Sequence, residues 1–308
     1  MEQRDSSALE IMRRELGAHP KLRQLQREAI SLLEETVGES AGFEVRQLLT
    51  AACGIPGAML GPCGEREIPE EEAARFFSWV ERRLGGEPLQ YILGEWEFYG
   101  LPLRVGPGVL IPRPDTETAV EVALEFLQGR DRPVVADLCS GSGAIALALW
   151  SQCPGAEVYG VELSPEALPY LRENVSALCQ GDRMPVQLIA GDVLRGVELP
   201  PLDLLISNPP YLTPQEMEEL SPEVEREPSM ALLGGADGLL FYREITRRYR
   251  DSIKPGGALV FEVGYRQADQ VMGILQAAGF CQVGCRKDLG GIRRCVFGFV
   301  PGGEGIGR

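Results

Sequence analysis

Two short stretches carry residue types that can do chemistry. The first is Asp137-Leu138-Cys139-Ser140-Gly141-Ser142-Gly143, which follows an apolar run and opens onto Ala144-Ile145-Ala146. Gly141 and Gly143 clear side chains from a tight turn, so the backbone can bend sharply and a ligand can come close. The free N–H groups of a helix start favour a carboxylate or phosphate, and Ser142 adds a small polar group. Glu162 ends the next apolar run about twenty residues later, where a carboxylate can accept both hydroxyls of a ribose. Two ligands fit this constellation. Gly141-x-Gly143-x-x-Ala146 formally matches a dinucleotide fingerprint, with a pyrophosphate on the helix N-terminus. The same loop and acid suit S-adenosylmethionine, with its ribose at Glu162 and its methionine end over the loop. A ligand-free strand–helix turn is the bland alternative.

The second stretch is Asn208-Pro209-Pro210-Tyr211, at the end of Leu204-Leu205-Ile206-Ser207. Asn208 precedes a proline and is pushed to extended geometry, while Pro209 and Pro210 fix the chain and lack N–H groups. This makes a rigid shelf at the carboxyl end of a strand, where open α/β sheets bind their ligands. Asn208 offers a side-chain carbonyl, Pro209 a backbone carbonyl and Tyr211 a flat face. Two acceptors at fixed angles suit a planar NH₂ group. Holding both of its N–H bonds frees a delocalised nitrogen lone pair to point at an activated methyl. Fixed carbonyl dipoles then stabilise the positive charge that grows on nitrogen, the counterpart of an oxyanion hole. This favours S-adenosylmethionine over a nicotinamide cofactor, since no residue for hydride transfer is evident. The Asn208–Tyr211 shelf is the most specific signal in the chain.

These stretches need a frame. Apolar runs at 134–138, 157–162, 186–190, 202–207 and 258–263 lack polar alternation, as expected of parallel strands covered by helices on both faces. A helix over 267–278 precedes two β-rich runs, 280–285 and 293–300. Asp288-Leu289-Gly290-Gly291 between them is too short for a helical crossover, which predicts a C-terminal antiparallel hairpin. Before this frame, apolar residues recur at helical spacing: Leu9, Met12 and Leu16, then Leu22, Leu25, Ala29 and Leu32. Pro20 and Pro69 fit first helical positions. Glu70, Glu71 and Glu72 suit a positive helix end, and Arg82 and Arg83 a negative one. The reading is an α/β chain in three parts. Residues 1–88 form a small helical bundle, 89–106 a β-hairpin linker, and 107–308 a Rossmann-like sheet domain. A frayed tail is expected over 301–308.

Taken together, the motifs resemble those of the release-factor glutamine N5-methyltransferases (the PrmC/HemK family), which are class I methyltransferases. Pro88-Leu89-Gln90-Tyr91-Ile92-Leu93-Gly94 with Glu97-Phe98 is similar to the family's interdomain hairpin. Ile111-Pro112-Arg113-Pro114-Asp115-Thr116-Glu117 resembles its second signature. Glu227-Pro228, Ala231-Leu232 and Gly234-Gly235-Ala236-Asp237-Gly238-Leu239 resemble a third. The resemblance implies that Cys139, Ser140, Gly141, Ser142, Gly143 and Glu162 bind S-adenosylmethionine. It also implies that Asp192 and Val193 flank the adenine, and that Asn208 touches the cofactor as well as the substrate. Asn208, Pro209, Pro210 and Tyr211 would hold a glutamine, with Asn208, Pro209 and Tyr211 as the catalytic group. The partner implied is a peptide-chain release factor carrying a Gly-Gly-Gln loop, and the helical bundle would dock it. The family usually has glycine where Cys139 stands and, in some relatives, an aromatic where Val193 stands.

Composition narrows the classes further. Asp and Glu number 45 against 30 Lys and Arg, a net charge of −15 that repels phosphate backbones. A relative acting on adenine or guanine of a nucleic acid shares the Asn-Pro-Pro-Tyr logic but wants a basic recognition surface. A non-catalytic adapter would have no need of Gly141, Gly143, Glu162 and Asn208. The eight cysteines lack a C-x-x-C pair and His19 is the single histidine, so no metal site is expected. Reduced thiols, no apolar run long enough to span a membrane and no secretory signal point to the cytoplasm. Three features have plain structural readings. Arg243, Arg247, Arg248 and Arg250 suit a solvated helix face, with Glu244 four residues before Arg248. Cys281 and Cys285 suit burial as small hydrophobes. The Arg113–Glu117 stretch suits either a helix N-cap built on Asp115 or Thr116, or a lid.

Overall fold

The computed structural model describes residues 2–302; the tail expected over 301–308 lies outside the described residues from 303 onward. The chain divides into two compact units, Met1–Gly94 with Pro222–Arg226, and Glu95–Ser221 with Glu227–Arg308.

The first unit is helical: α1 (Glu2–Leu16), α2 (Leu22–Val37), α3 (Ala41–Cys53), α4 (Glu70–Leu84) and the short α5 (Leu89–Leu93). Leu22, Leu25, Ala29 and Leu33 of α2 are buried, at i, i+3, i+4 spacing. Leu33 takes the place expected of Leu32. Val45, Leu48, Leu49, Phe76 and Val80 complete the core. Pro69 caps α4 from outside, and Pro20 stands two residues before α2, where its carbonyl accepts Ile68 N–H at 2.9 Å. Arg83, expected as a cation at the negative end of α4, is only 1% exposed. Its guanidinium donates to Glu44 Oε2 at 2.5 Å and to Glu223, a residue that reaches this unit from far down the chain. Arg226 donates to the Gly85 carbonyl at 2.7 Å. Leu89–Leu93, expected within a β-hairpin, is helical instead: Pro88 pre-sets φ at its start, and Gly94 ends it in the left-handed region.

The second unit opens with that hairpin, confined to β1 (Glu95–Phe98) and β2 (Leu101–Arg104). Next come α6 (Glu117–Leu127), β3 (Val134–Leu138), α7 (Ala144–Gln152), β4 (Glu157–Glu162), α8 (Ala167–Leu178), β5 (Gln187–Ala190) and β6 (Leu202–Ser207). They are followed by α9 (Pro214–Met217), α10 (Ser229–Leu232), α11 (Leu240–Tyr249), β7 (Ile253–Glu262), α12 (Ala268–Ala277), β8 (Cys281–Lys287) and β9 (Arg293–Phe299). The sheet order is β5-β4-β3-β6-β7-β9-β8. β3 to β7 pair in parallel, and β9 pairs antiparallel with β7 and β8. β7 starts five residues earlier than the apolar run suggested, because Ile253 pairs with Leu202 before a register shift accommodates Pro255-Gly256-Gly257.

Alternate strand residues enter opposite layers. Val135, Leu204 and Val260 join the core under α6 and α7, while Ala136, Leu205 and Leu259 join the core under α11 and α12. That two-sided burial is why the strands read as apolar runs without polar alternation. Cys295 is buried as a small hydrophobe, whereas Cys281 is exposed on the edge strand β8 and Cys285 is half-buried. β8 is the terminal strand of the sheet, with a neighbouring strand on one side only, and Cys281 stays exposed there, contrary to the burial expected of it. Among the described residues, no helix is long and apolar enough to cross a membrane, and no Cys, His, Asp and Glu cluster could hold a metal ion.

Candidate active site

Strand order reverses between β3 and β6, and the crevice at that switch point is where an open α/β sheet holds its ligand. A cavity of about 510 Å³ lies there. Its lining includes Cys139, Ser140, Gly141, Ser142, Glu162, Asp192, Val193, Asn208 and Pro210 from the residues picked out in the sequence.

One wall is backbone. Ser140 N–H donates to the Val161 carbonyl at 3.0 Å and Gly143 N–H to the Ser140 carbonyl at 2.7 Å, folding the loop tightly between β3 and α7. Gly143 has φ of 88°, and a Cβ there would stand 2.6 Å from Leu171 Cδ1, so only glycine fits. It caps α7 from beneath rather than lining the cavity. Glu162 is expected from the sequence to accept ribose hydroxyls, and its surroundings show what else it holds. Its carboxylate accepts three backbone N–H groups: Gly141 at 2.8 Å, Leu163 at 2.8 Å and Ser164 at 2.7 Å. A carboxylate has about four lone-pair sites, so one direction remains for a ligand while the other three shape the loop. Asp192 accepts Leu194 N–H at 2.8 Å, and Val193 is buried with its carbonyl accepting the Tyr249 hydroxyl. Cys139 adopts φ of 61°, the left-handed region, with no side chain suited to it. Beneath the loop, Asp137 is fully buried with Oδ2 accepting Ala146 N–H at 3.2 Å and Oδ1 unpartnered. Burial pushes its carboxyl up to about 8.

The opposite wall is built from fixed side chains. The Ser207 hydroxyl donates to the Leu138 carbonyl at 2.6 Å, tying the end of β6 to β3. Pro209 and Pro210 are buried, and Tyr211 N–H and Leu212 N–H both donate to the Leu232 carbonyl. Gln267 Nε2 holds the Tyr211 carbonyl at 2.9 Å. Gly234 lies so close that a Cβ would meet Tyr211 Cα at 2.6 Å and the Pro210 carbonyl at 2.7 Å. The glycine-rich third signature is therefore a clasp on the shelf. Pro209 and Tyr211 do not line the cavity. Tyr211 is held by both backbone bonds with its ring against Gly264, and burial pushes its hydroxyl up to about 12. Asn208 does face the cavity, and its Nδ2 donates to Thr116 Oγ1 at 3.4 Å.

Thr116 is the position sequence reasoning misplaced. It stands at the start of α6 but makes no side-chain cap bond, so the N-cap reading of this stretch does not hold. Arg113, which lines the cavity, pairs with buried Glu227, whose other oxygen accepts Ile111 N–H at 3.0 Å. The second and third signatures are thus locked together. Glu262, at the end of β7, was not singled out. Its signal was present: an acid ending an apolar strand is what marked Glu162. The Arg243, Arg247 and Arg248 guanidiniums are paired with Asp237 and Glu244, as expected of a solvated face, whereas Arg250 lies past the end of α11, half-buried, and donates to the Ala278 carbonyl at 2.7 Å.

Comparison with known proteins bears on this geometry. Residues 24–94 match the PrmC N-terminal domain family, and residues 111–224 the methyltransferase small domain family. The release factor glutamine methyltransferase of Geobacter sulfurreducens is 42% identical over 269 residues, covering 87% of this chain and 93% of that protein. The chain belongs to the release factor glutamine methyltransferase family. The member from Clostridium acetobutylicum is 36% identical over 287 residues, covering 92% of this chain and 99% of its own. A solved structure, the hMettl16 catalytic domain in complex with MAT2A 3′UTR hairpin 6, overlays with a TM-score of 0.52 at 14% identity. It covers 77% of this chain and 84% of that one, and shows the shared fold alone. As a family member the chain is a methyltransferase, and family and fold together imply S-adenosylmethionine as the methyl source.

Proposed function

We propose that this enzyme transfers a methyl group from S-adenosylmethionine to the side-chain amide nitrogen of the glutamine in a release factor's Gly-Gly-Gln loop. One observation carries the reading. The Asn208 NH₂ is turned onto Thr116, so its carbonyl is the end left to face the cavity, on a shelf fixed by two prolines and a glycine clasp.

The loop 139–143 with Glu162, Asp192 and Val193 would hold S-adenosylmethionine. The fit rests on the lone-pair direction left on Glu162 and on the 510 Å³ of space beside it. That group supplies a methyl on a sulfonium, already activated for attack. Everything else falls to the chain. Asn208 Oδ1 and the Pro209 carbonyl accept the two N–H bonds of the glutamine amide and orient its nitrogen. Because the acceptors are preorganised, little reorganisation is needed as the nitrogen becomes cationic, a term usually worth about 10²–10³ in rate per group. No strong base is required, since the proton leaves after the nitrogen is charged. Residues 1–88 would dock the release factor, because a lone glutamine is too small to discriminate among proteins. Surplus negative charge favours a basic partner.

The class of acceptor is the point to test. Incubate the enzyme and methyl-labelled S-adenosylmethionine with a purified release factor, total tRNA, ribosomal RNA or duplex DNA. Label entering only the release factor is expected; label entering a nucleic acid instead overturns the proposal.

A further inference from the structure

We propose that Thr116 and Glu262 set which end of the Asn208 amide the substrate meets, a positioning role that rests on the function proposed above. An asparagine amide has a carbonyl end and an NH₂ end of nearly equal shape. Only the carbonyl end can accept from a glutamine NH₂; the flipped amide sets donor against donor. Something must decide between them.

The arrangement around Thr116 does so. Thr116 is 4% exposed and Glu262 2% exposed, so little solvent reaches either. Thr116 Oγ1 receives Asn208 Nδ2 at 3.4 Å, and the Glu262 carboxyl lies near enough for the Thr116 hydroxyl to stabilise its charge. An ionised carboxylate only accepts, and a hydroxyl has one proton. With that proton directed to Glu262, the Thr116 oxygen can only accept, which draws the NH₂ end of Asn208 and leaves the carbonyl for the cavity. Glu262 Oε2 is buried with no hydrogen-bond partner, so the carboxylate has no competing donor there to satisfy it. Around Glu262 stand Arg113 and Asp115 before α6, Arg294 and Cys295 on β9, and Tyr211 after β6. From α11 the Tyr242 hydroxyl donates to its backbone carbonyl. Burial outweighs the two arginines and pushes the Glu262 carboxyl up to about 7. Protonated, Glu262 becomes a donor and the chain of bonds can run backwards, presenting the wrong end of Asn208.

The test uses the full enzyme, S-adenosylmethionine and a release factor, with transfer measured in a single turnover at saturating cofactor. Thr116→Val keeps the shape and removes the hydroxyl; Thr116→Ser keeps the hydroxyl. One neutral hydrogen bond is worth up to about 1.4 kcal/mol, so Thr116→Val should transfer about tenfold more slowly. Its cofactor affinity and release-factor KM should stay within about twofold of wild type, and Thr116→Ser should restore the rate. Wild-type transfer by Thr116→Val, or equal loss in both variants, overturns the inference. If Thr116→Val does not fold, the wild-type pH profile decides. A rate rising about tenfold from pH 6 to pH 8 supports the Glu262 relay, and a flat profile overturns it. A wild-type enzyme that never labels the release factor would instead defeat the proposed function.

Discussion

The two walls of the cavity each end in a strand-terminal glutamate, and the two acids are used in opposite ways. Glu162 on β4 accepts three backbone N–H groups within 2.8 Å, which holds a loop in shape and leaves one direction for a ligand. Glu262 on β7 is left with an unpartnered oxygen, buried beside a hydroxyl that reaches Asn208. The cofactor wall is therefore a backbone construction, held in shape by one carboxylate. The acceptor wall depends on the direction of single side-chain bonds. The same residue type at the same topological position serves as scaffold in one case and as polarity control in the other.

The largest expected effect tests the acceptor wall. Asn208→Ala removes one preorganised acceptor and should slow single-turnover transfer about 10²–10³-fold. Binding of S-adenosylmethionine, followed by calorimetry, should stay within about threefold; equal loss of both would show that the walls do not act separately. Next comes the cofactor wall. Glu162→Ala deprives three N–H groups of a charged acceptor, at about 1.5–3 kcal/mol for such bonds. Cofactor affinity should fall at least tenfold, and amide exchange at Gly141 and Ser164 should accelerate. Unchanged exchange would mean the acid does not organise the loop.

A third effect comes from the two buried carboxyls. Burial raises Asp137 to about 8 and Glu262 to about 7, well above their ordinary values. In the unfolded chain both lose their protons near pH 4, so between about pH 4 and pH 8 the folded state binds more protons. Stability from these groups is present at low pH and declines as pH rises through that window. Urea midpoints should fall from pH 5.5 to pH 8, and Asp137→Asn should flatten the decline; a midpoint that climbs with pH contradicts the assignment. The smallest effect concerns Cys139. An L residue in the left-handed region is strained by about 1–2 kcal/mol, so Cys139→Gly should raise stability by about 1 kcal/mol and leave transfer unchanged. A drop in melting temperature would show that the thiol makes a compensating contact.

Much of this was legible in the sequence because it is local. The strands at 134–138, 157–162 and 202–207 begin and end where their mostly apolar runs do, since burial on both faces suppresses polar alternation along them. Glycine spacing and the double proline announced the two walls for the same reason. What escaped depends on distant partners. Thr116 reads as a helix cap from its neighbours, and only β7, far down the chain, brings the Glu262 carboxyl beside it. Arg83 reads as a dipole cation until Glu44 and Glu223 bury it. Glu162 was recognised, but its three N–H partners were not, because side-chain spacing carries no record of backbone donors.

The central claim is that a glutamine amide nitrogen receives the methyl on a shelf set by Asn208. The direct measurement is peptide mass spectrometry of a release factor after reaction with wild-type enzyme and with Asn208→Ala in parallel. The account predicts a single added methyl on the glutamine side chain of the Gly-Gly-Gln loop with wild type, and at most about a hundredth of that rate with the variant. A methyl on another residue, or equal labelling by the two enzymes, would contradict it.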